Sequence, residues 1–176
     1  YIPSYSSFDE VKKNLYSKGI ILNHKTFEWL AQKKKYAGNI KAGHYVIDEE
    51  MGNNNLINLL RSGQQTPVKL IFNNIRTLDE LAERVSEQIE ADSLSIIRLL
   101  NNEAYLNKYG MTPENVKTIF IPNTYEFYWN TTAEEFIDRM YKEYTKFWSD
   151  AREQKLKRCR LTKTEATILA SIIEKE

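Results

Sequence analysis

The sequence predicts an α+β fold, mainly helical, in which a small α/β module precedes a longer helical region. Three observations carry this. Among the Ser and Thr residues followed three positions later by Glu are Ser7/Glu10, Thr77/Glu80, Thr132/Glu135 and Thr162/Glu165, which is the spacing of a helix capping box. Downstream of each, apolar residues recur at steps of three and four, the period of a buried helix face. Val68, Leu70 and Phe72 alternate instead, as strand residues do.

Element by element, a short opening strand leads to a helix over 8–18 that buries Val11 and Leu15 and ends at Lys18-Gly19, a Gly stop. Asn23 caps a second helix striped by Phe27, Leu30 and Ala31, ending near Tyr36-Ala37-Gly38. A strand is expected at 43–47. The asparagines at 53–55 then cap a helix with Leu56, Leu59 and Leu60 on one face, closed by Gly63, and the strand at 68–72 follows. A break at Asn73-Asn74 divides the chain into a module at 1–73 and a second domain at 74–176.

That second domain opens with a helix patterned by Leu78, Leu81, Ala82, Val85 and Ile89. Short helices are expected at 93–100 and 102–109, an extended segment at 118–122, and a loop over 121–128. A long helix then runs from the Thr132/Glu135 cap through Phe136, Met140, Tyr144, Phe147 and Trp148, and the last begins at Thr162. No internal repeat is strong enough to indicate a solenoid.

Composition narrows the function. A 41% hydrophobic fraction over 176 residues supports a real core, and 25 basic against 24 acidic residues leave a formal charge of +1. That balance lacks the excess that drives binding to a phosphate backbone, so nucleic acid is not an expected partner. The lysine-rich runs at 33–35 and 155–160 read as solvated helix faces. Cys159 is the single cysteine, and His24 and His44 stand twenty positions apart outside any ligand spacing, so neither an internal disulfide nor a metal site is expected, and no cofactor is implied. No apolar run is long enough to span a membrane and the first residues lack signal-peptide architecture. Any anchor is expected outside these residues.

Two segments carry candidate chemistry. On the last helix Glu176 stacks over Ile173, Ile172 and Leu169, whereas Glu174 stacks over Ser171, Ala170 and Thr167. A carboxyl on an apolar stripe has a raised pKa when the stripe is buried, the condition for a general acid. The helix ends on acids with no Gly or Pro stop, which reads as truncation. In the loop over 121–128, Asn123, Thr124, Tyr125 and Glu126 combine a ring with donors and acceptors, which suits a carbohydrate. The residues alone leave open that Glu176 is a solvated chain end, that Glu174 is an ordinary surface acid, and that the loop is a Pro turn with core aromatics.

Three segments occur in a shared order: Lys41-Ala42-Gly43-His44-Tyr45, then residues 120–127 around Pro122-Asn123-Thr124-Tyr125, then 170–176 ending in Glu174-Lys175-Glu176. In this the chain resembles the endolytic murein transglycosylase family across nearly its whole length. The resemblance implies a LysM-like module at 1–73 and the N-terminal part of a catalytic domain at 74–176. It implies that Glu176 is the catalytic acid/base, with Glu174 as runner-up. Asn123 stands where the family carries an Asp, while Thr124 and Tyr125 match.

The implied reaction cleaves the bond between N-acetylmuramic acid and N-acetylglucosamine within peptidoglycan strands. One glutamic acid protonates the glycosidic oxygen, and its carboxylate then takes the proton from the muramoyl C6 hydroxyl, which closes onto C1. The tethered nucleophile makes a second carboxylate unnecessary, and the product carries a 1,6-anhydromuramoyl end. The resemblance also implies peptidoglycan strands and a cell-wall synthase as partners, and a single-pass inner-membrane protein with this region on the periplasmic or extracytoplasmic side. The residues present are expected to be inactive without those that complete the cleft beyond Glu176. The alternative is a non-catalytic peptidoglycan-binding or scaffold module.

Overall fold

The structure, a computed structural model, describes residues 1–72 and 76–173, with Phe72 described by its backbone. Helices dominate and two short strands pair into one antiparallel sheet, the α+β class expected. By backbone proximity the chain divides into one unit of Tyr1–Lys69 with Glu126–Asn130, and another of Leu70–Tyr125 with Thr131–Glu176.

In the first unit, α1 (Phe8–Ser17) starts on a complete capping box. Ser7 Oγ accepts from Glu10 N at 3.3 Å and Glu10 Oε2 accepts from Ser7 N at 2.7 Å. Helix α2 (His24–Lys33) is capped by Asn23, whose Oδ1 accepts from Thr26 N at 3.0 Å. Helix α3 (Asn53–Ser62) stops at Gly63, whose φ of 75° is the left-handed turn that glycine adopts without strain. Their inward faces close one core: Val11 and Leu15 from α1, Phe27 and Ala31 from α2, Leu56, Ile57 and Leu60 from α3. Tyr36, in a 3-10 turn after α2, is fully buried, and Phe8 stacks on Phe27 at 6.3 Å while meeting Tyr36 edge-on.

Three expectations are corrected here. Gly52, not the asparagines at 53–55, is the N-cap of α3, and Ile57 rather than Leu59 is fully buried. The opening strand and the strand at 43–47 reduce to a single antiparallel bridge, in which Ile2 and Gly43 exchange backbone hydrogen bonds of 2.9 and 2.8 Å. The pairing with Ile2 is not propagated, and the carbonyl of His44 faces the opposite side, where it accepts from Thr66 N at 2.8 Å. Gly43 sits at φ 144°, a backbone conformation that favours glycine, and a Cβ there would also displace the Gln65 carboxamide.

Strand β1 (Val68–Phe72) lies where alternation places it. In the second unit, α4 (Leu78–Ser86) buries Leu81, Ala82 and Val85. Its cap is half a box: Thr77 Oγ1 accepts from Glu80 N, but the Glu80 carboxylate accepts from Arg76 N at 3.0 Å. Asp92 caps α5 (Ser93–Leu100), which packs between α4 and the later α7, and Asn102 caps the single turn α6 (Glu103–Leu106), followed by a 3-10 turn over Asn107–Tyr109. The break expected at Asn73-Asn74 lies outside the described residues.

The segment 118–122 is not extended throughout. Val116–Ile119 is a 3-10 turn in which Thr118 Oγ1 donates to Asn115 O at 2.8 Å, a local bond that competes with strand geometry. Extended structure begins only after Pro122, as β2 (Asn123–Phe127), so the expected loop over 121–128 is largely strand. Helix α7 (Ala133–Phe147) carries the full Thr132/Glu135 box and buries Phe136, Ile137, Met140 and Tyr144. It ends at Trp148, and a separate helix, α8 (Asp150–Cys159), starts after Ser149. Helix α9 (Lys163–Ile173) completes the described chain.

Candidate active site

Helix α9 begins as its sequence dictates. Thr162 Oγ1 accepts from Glu165 N at 3.2 Å, and Glu165 Oε2 accepts from Thr162 N at 2.8 Å. Those bonds hold the Glu165 carboxyl below its ordinary value. Ala166 and Thr167 are half-buried, and the helix approaches the 3-10 turn at Val116–Ile119. Its far end is different: Ile168, Leu169, Ile172 and Ile173 are 46 to 65% exposed.

That exposure removes the burial expected to raise the pKa of Glu176. An apolar stripe raises a carboxyl's pKa only where it excludes water, and in the described residues this stripe faces solvent. Ala170 and Ser171, under the Glu174 direction, are exposed too. Burial therefore does not separate the two faces, although their composition does. Glu174 and Glu176 themselves lie outside the described residues.

Along β2 the side chains alternate. Tyr125 and Phe127 are buried, at 6% and 5% exposure, while Asn123, Thr124 and Glu126 are exposed. The Tyr125 hydroxyl donates to Ile121 O at 2.7 Å, and burial pushes its pKa up. Its ring is a core element that pins the turn before the strand, and its face is not offered to solvent. Asn123 Oδ1 accepts from Thr124 N at 2.7 Å. Thr124 and Glu126 thus present a hydroxyl and a carboxylate outward, and Tyr128 beyond them is 56% exposed. The division between the units passes through β2 between Tyr125 and Glu126.

Two features escaped the sequence. In the second unit the Tyr109 hydroxyl donates to Asp138 Oδ1, and Lys108 pairs with the same oxygen at 3.2 Å while lying 4.0 Å from the Tyr105 ring centre. The Tyr109 bond, then Lys108, holds Asp138 below the usual carboxylate range. In the first unit a hollow of about 240 Å³ opens between residues 2–6 and α1, lined among others by Tyr5, Glu10 and Asn14. Tyr5 has φ 63° and is fully exposed, and its only mark in the sequence is an aromatic ring set among Ser4, Ser6 and Ser7.

Among the described residues no group of three or more His, Cys, Asp and Glu side chains could hold a metal ion, and no helix is long and apolar enough to cross a membrane. His24 stacks on Tyr16 at 3.7 Å, and His44 Nδ1 lies 2.9 Å from Thr66 O.

Comparison with known proteins agrees with the ordered segments. The model of the YceG-like family matches residues 1–176. No curated protein matches. The crystal structure of a yceG-like protein from Listeria monocytogenes is similar at 22% identity and a TM-score of 0.48, over 91% of this chain and 58% of the Listeria chain. The chain spans somewhat over half the length of that relative.

Proposed function

We propose, because this chain belongs to the YceG-like family, that it forms part of a peptidoglycan lytic transglycosylase that cuts within glycan strands. The observation that carries the reading is the family match over residues 1–176, which includes Glu174-Lys175-Glu176 at the end of the sequence. Glu176 is the acid/base and Glu174 the runner-up. Glu176 protonates the oxygen between N-acetylmuramic acid and N-acetylglucosamine, and its carboxylate then accepts the C6 hydroxyl proton as that oxygen closes onto C1. One carboxyl suffices because the nucleophile is held within the sugar. The exposed stripe of Leu169, Ile172 and Ile173 contributes by accepting substrate: a strand laid on it excludes water and favours the protonated acid. Thr124 and Glu126 supply polar contacts to the strand, with Asn123 and Tyr125 shaping β2 beneath them.

The same reading places the region on the extracytoplasmic side of the inner membrane, held by an anchor outside these residues and acting beside a cell-wall synthase. The test is mass spectrometry of muropeptides released from sacculi by the full-length protein. Anhydro-ended muropeptides support the reading. Reducing ends formed with uptake of water would mean hydrolysis and contradict it.

A second reading, a glycan-binding module, is favoured by the hollow beside Tyr5. An exposed ring next to hydroxyl and carboxamide groups suits a sugar, whose apolar face stacks while its hydroxyls need partners. Titrating the whole chain and its Tyr5→Ala variant with chitin oligomers tests it, and equal affinities would remove Tyr5 from any binding role. A fragment cut at residue 73 is a poor test, because Glu126–Asn130 belongs to the first unit.

A further inference from the structure

Helix α8 buries none of its residues, and its second half opens the stretch of the chain richest in cations. From Gln154 to Thr164 there are five cations, Lys155, Lys157, Arg158, Arg160 and Lys163, and no carboxylate. Among the described residues Lys163 is the one of these five in an ion pair, with Glu153 at 2.6 Å, and that pair ties α8 to the start of α9. The side chains of Lys155, Lys157, Arg158 and Arg160 are exposed and make no hydrogen bond or ion pair among the described residues, although Lys157 lies near enough to Glu153 to help lower its carboxyl.

Helix stability explains part of this. Lys157 and Arg158 lie in the last turn, where cations complement the macrodipole. It does not explain Lys155, or Arg160. Arg160 holds the C-cap at φ 56° and ψ 35°, a left-handed position where glycine is the unstrained residue. A long cation kept at a strained turn beside three others, at the entrance to α9, has the character of an anion-binding surface.

We propose that Lys155, Arg158 and Arg160, with Lys157, bind the carboxylates of peptidoglycan stem peptides, so that the protein engages peptide-bearing strands in preference to bare glycan. This rests on the peptidoglycan reading above. From Lys163 to Ile173 the helix rises about 15 Å, so the cations contact the strand away from the end of α9 and set which strand is held rather than the chemistry.

The test measures retention of the full chain on immobilised glycan strands freed from sacculi either by an endopeptidase, which cuts the cross-links and leaves the stem peptides, or by an amidase, which removes them, for the wild type and for the double variant Lys155→Glu/Arg158→Glu. Far-UV circular dichroism checks that the variant folds, which the exposure of both side chains predicts. The expected result is about tenfold weaker retention of the wild type on bare strands and of the variant on peptide-bearing ones, with wild-type retention on peptide-bearing strands falling as salt rises. Equal retention on both substrates would overturn the proposal. So would variant-sensitive binding to phosphatidylglycerol vesicles without binding to strands, which would assign the cations to a lipid surface. The two readings fail separately: anhydro ends released equally by the full-length protein from peptide-bearing and bare strands would leave the transglycosylase standing and remove the stem-peptide contact.

Discussion

The helices α1 to α3 and the pair α8 and α9 handle their apolar residues in opposite ways. The first three turn Val11, Leu15, Phe27, Leu56, Ile57 and Leu60 into a closed core, whereas α8 and α9 have no fully buried residue among those described. Each group mixes side-chain-capped helices, α1, α2 and α9, with one that lacks a side-chain cap, α3 or α8, so capping does not account for the contrast. It is one of tertiary partners, which supply most helical stability in proteins. An amphipathic pattern thus marks a core in one place and, in the other, a surface shaped for something else to cover.

Substitution at matched apolar positions is the strongest way to break this contrast. Phe27→Ala, at a fully buried ring, is expected to cost about 3–5 kcal/mol in denaturant unfolding. Ile172→Ala, at 54% exposure, is expected to change stability by no more than about 0.5 kcal/mol. A large loss at Ile172 would show that α9 is part of the folding core. Caps come next. Thr132→Ala removes the box of α7, whose face is buried, and is expected to cost about 1 kcal/mol. Thr162→Ala breaks a box of the same geometry on α9, and there the loss is expected as local fraying seen by amide exchange, with little change in global unfolding.

The pH dependence is smaller and has opposite signs in the two units. In the first, burial and then Glu28 push Tyr16 up to about 12. A raised folded value means its contribution is present below the ordinary tyrosine range and is lost as pH climbs through about 12, which ultraviolet difference titration would follow. In the second, Asp138 is lowered, first by Tyr109 and then by Lys108. Its contribution is present above the ordinary carboxylate range and is lost as pH falls through its depressed value. Asp138→Asn should remove that acid-side loss, and an unchanged acid limb would dissociate the pair from stability.

What was legible in the sequence was local. Ser7/Glu10, Thr132/Glu135 and Thr162/Glu165 each mark a helix start because a capping box is closed within four residues. Asp92 begins α5 where the short helix at 93–100 was expected. What was hidden depended on partners distant in the chain. The strand at 43–47 is reduced to the bridge at Gly43, whose partner Ile2 lies far away in the chain. The residues over 121–128 leave open a carbohydrate platform or a Pro turn with core aromatics, and Tyr125 is a core ring, because β2 alternation turns it inward. Tyr109 and Asp138 stand 29 positions apart, with no motif to link them. The exposure of the α9 stripe was likewise beyond sequence, which shows that residues share a face but not whether another element covers it.

The central claim rests on which of two acids does the chemistry, and a matched pair of substitutions asks that directly. In the full-length protein, Glu176→Gln and Glu174→Gln would be compared with the wild type by mass spectrometry of muropeptides from digested sacculi. The account predicts that the Glu176 variant folds and binds strands but releases no anhydro-ended products, while the Glu174 variant retains them. Anhydro ends at wild-type yield from Glu176→Gln would contradict it.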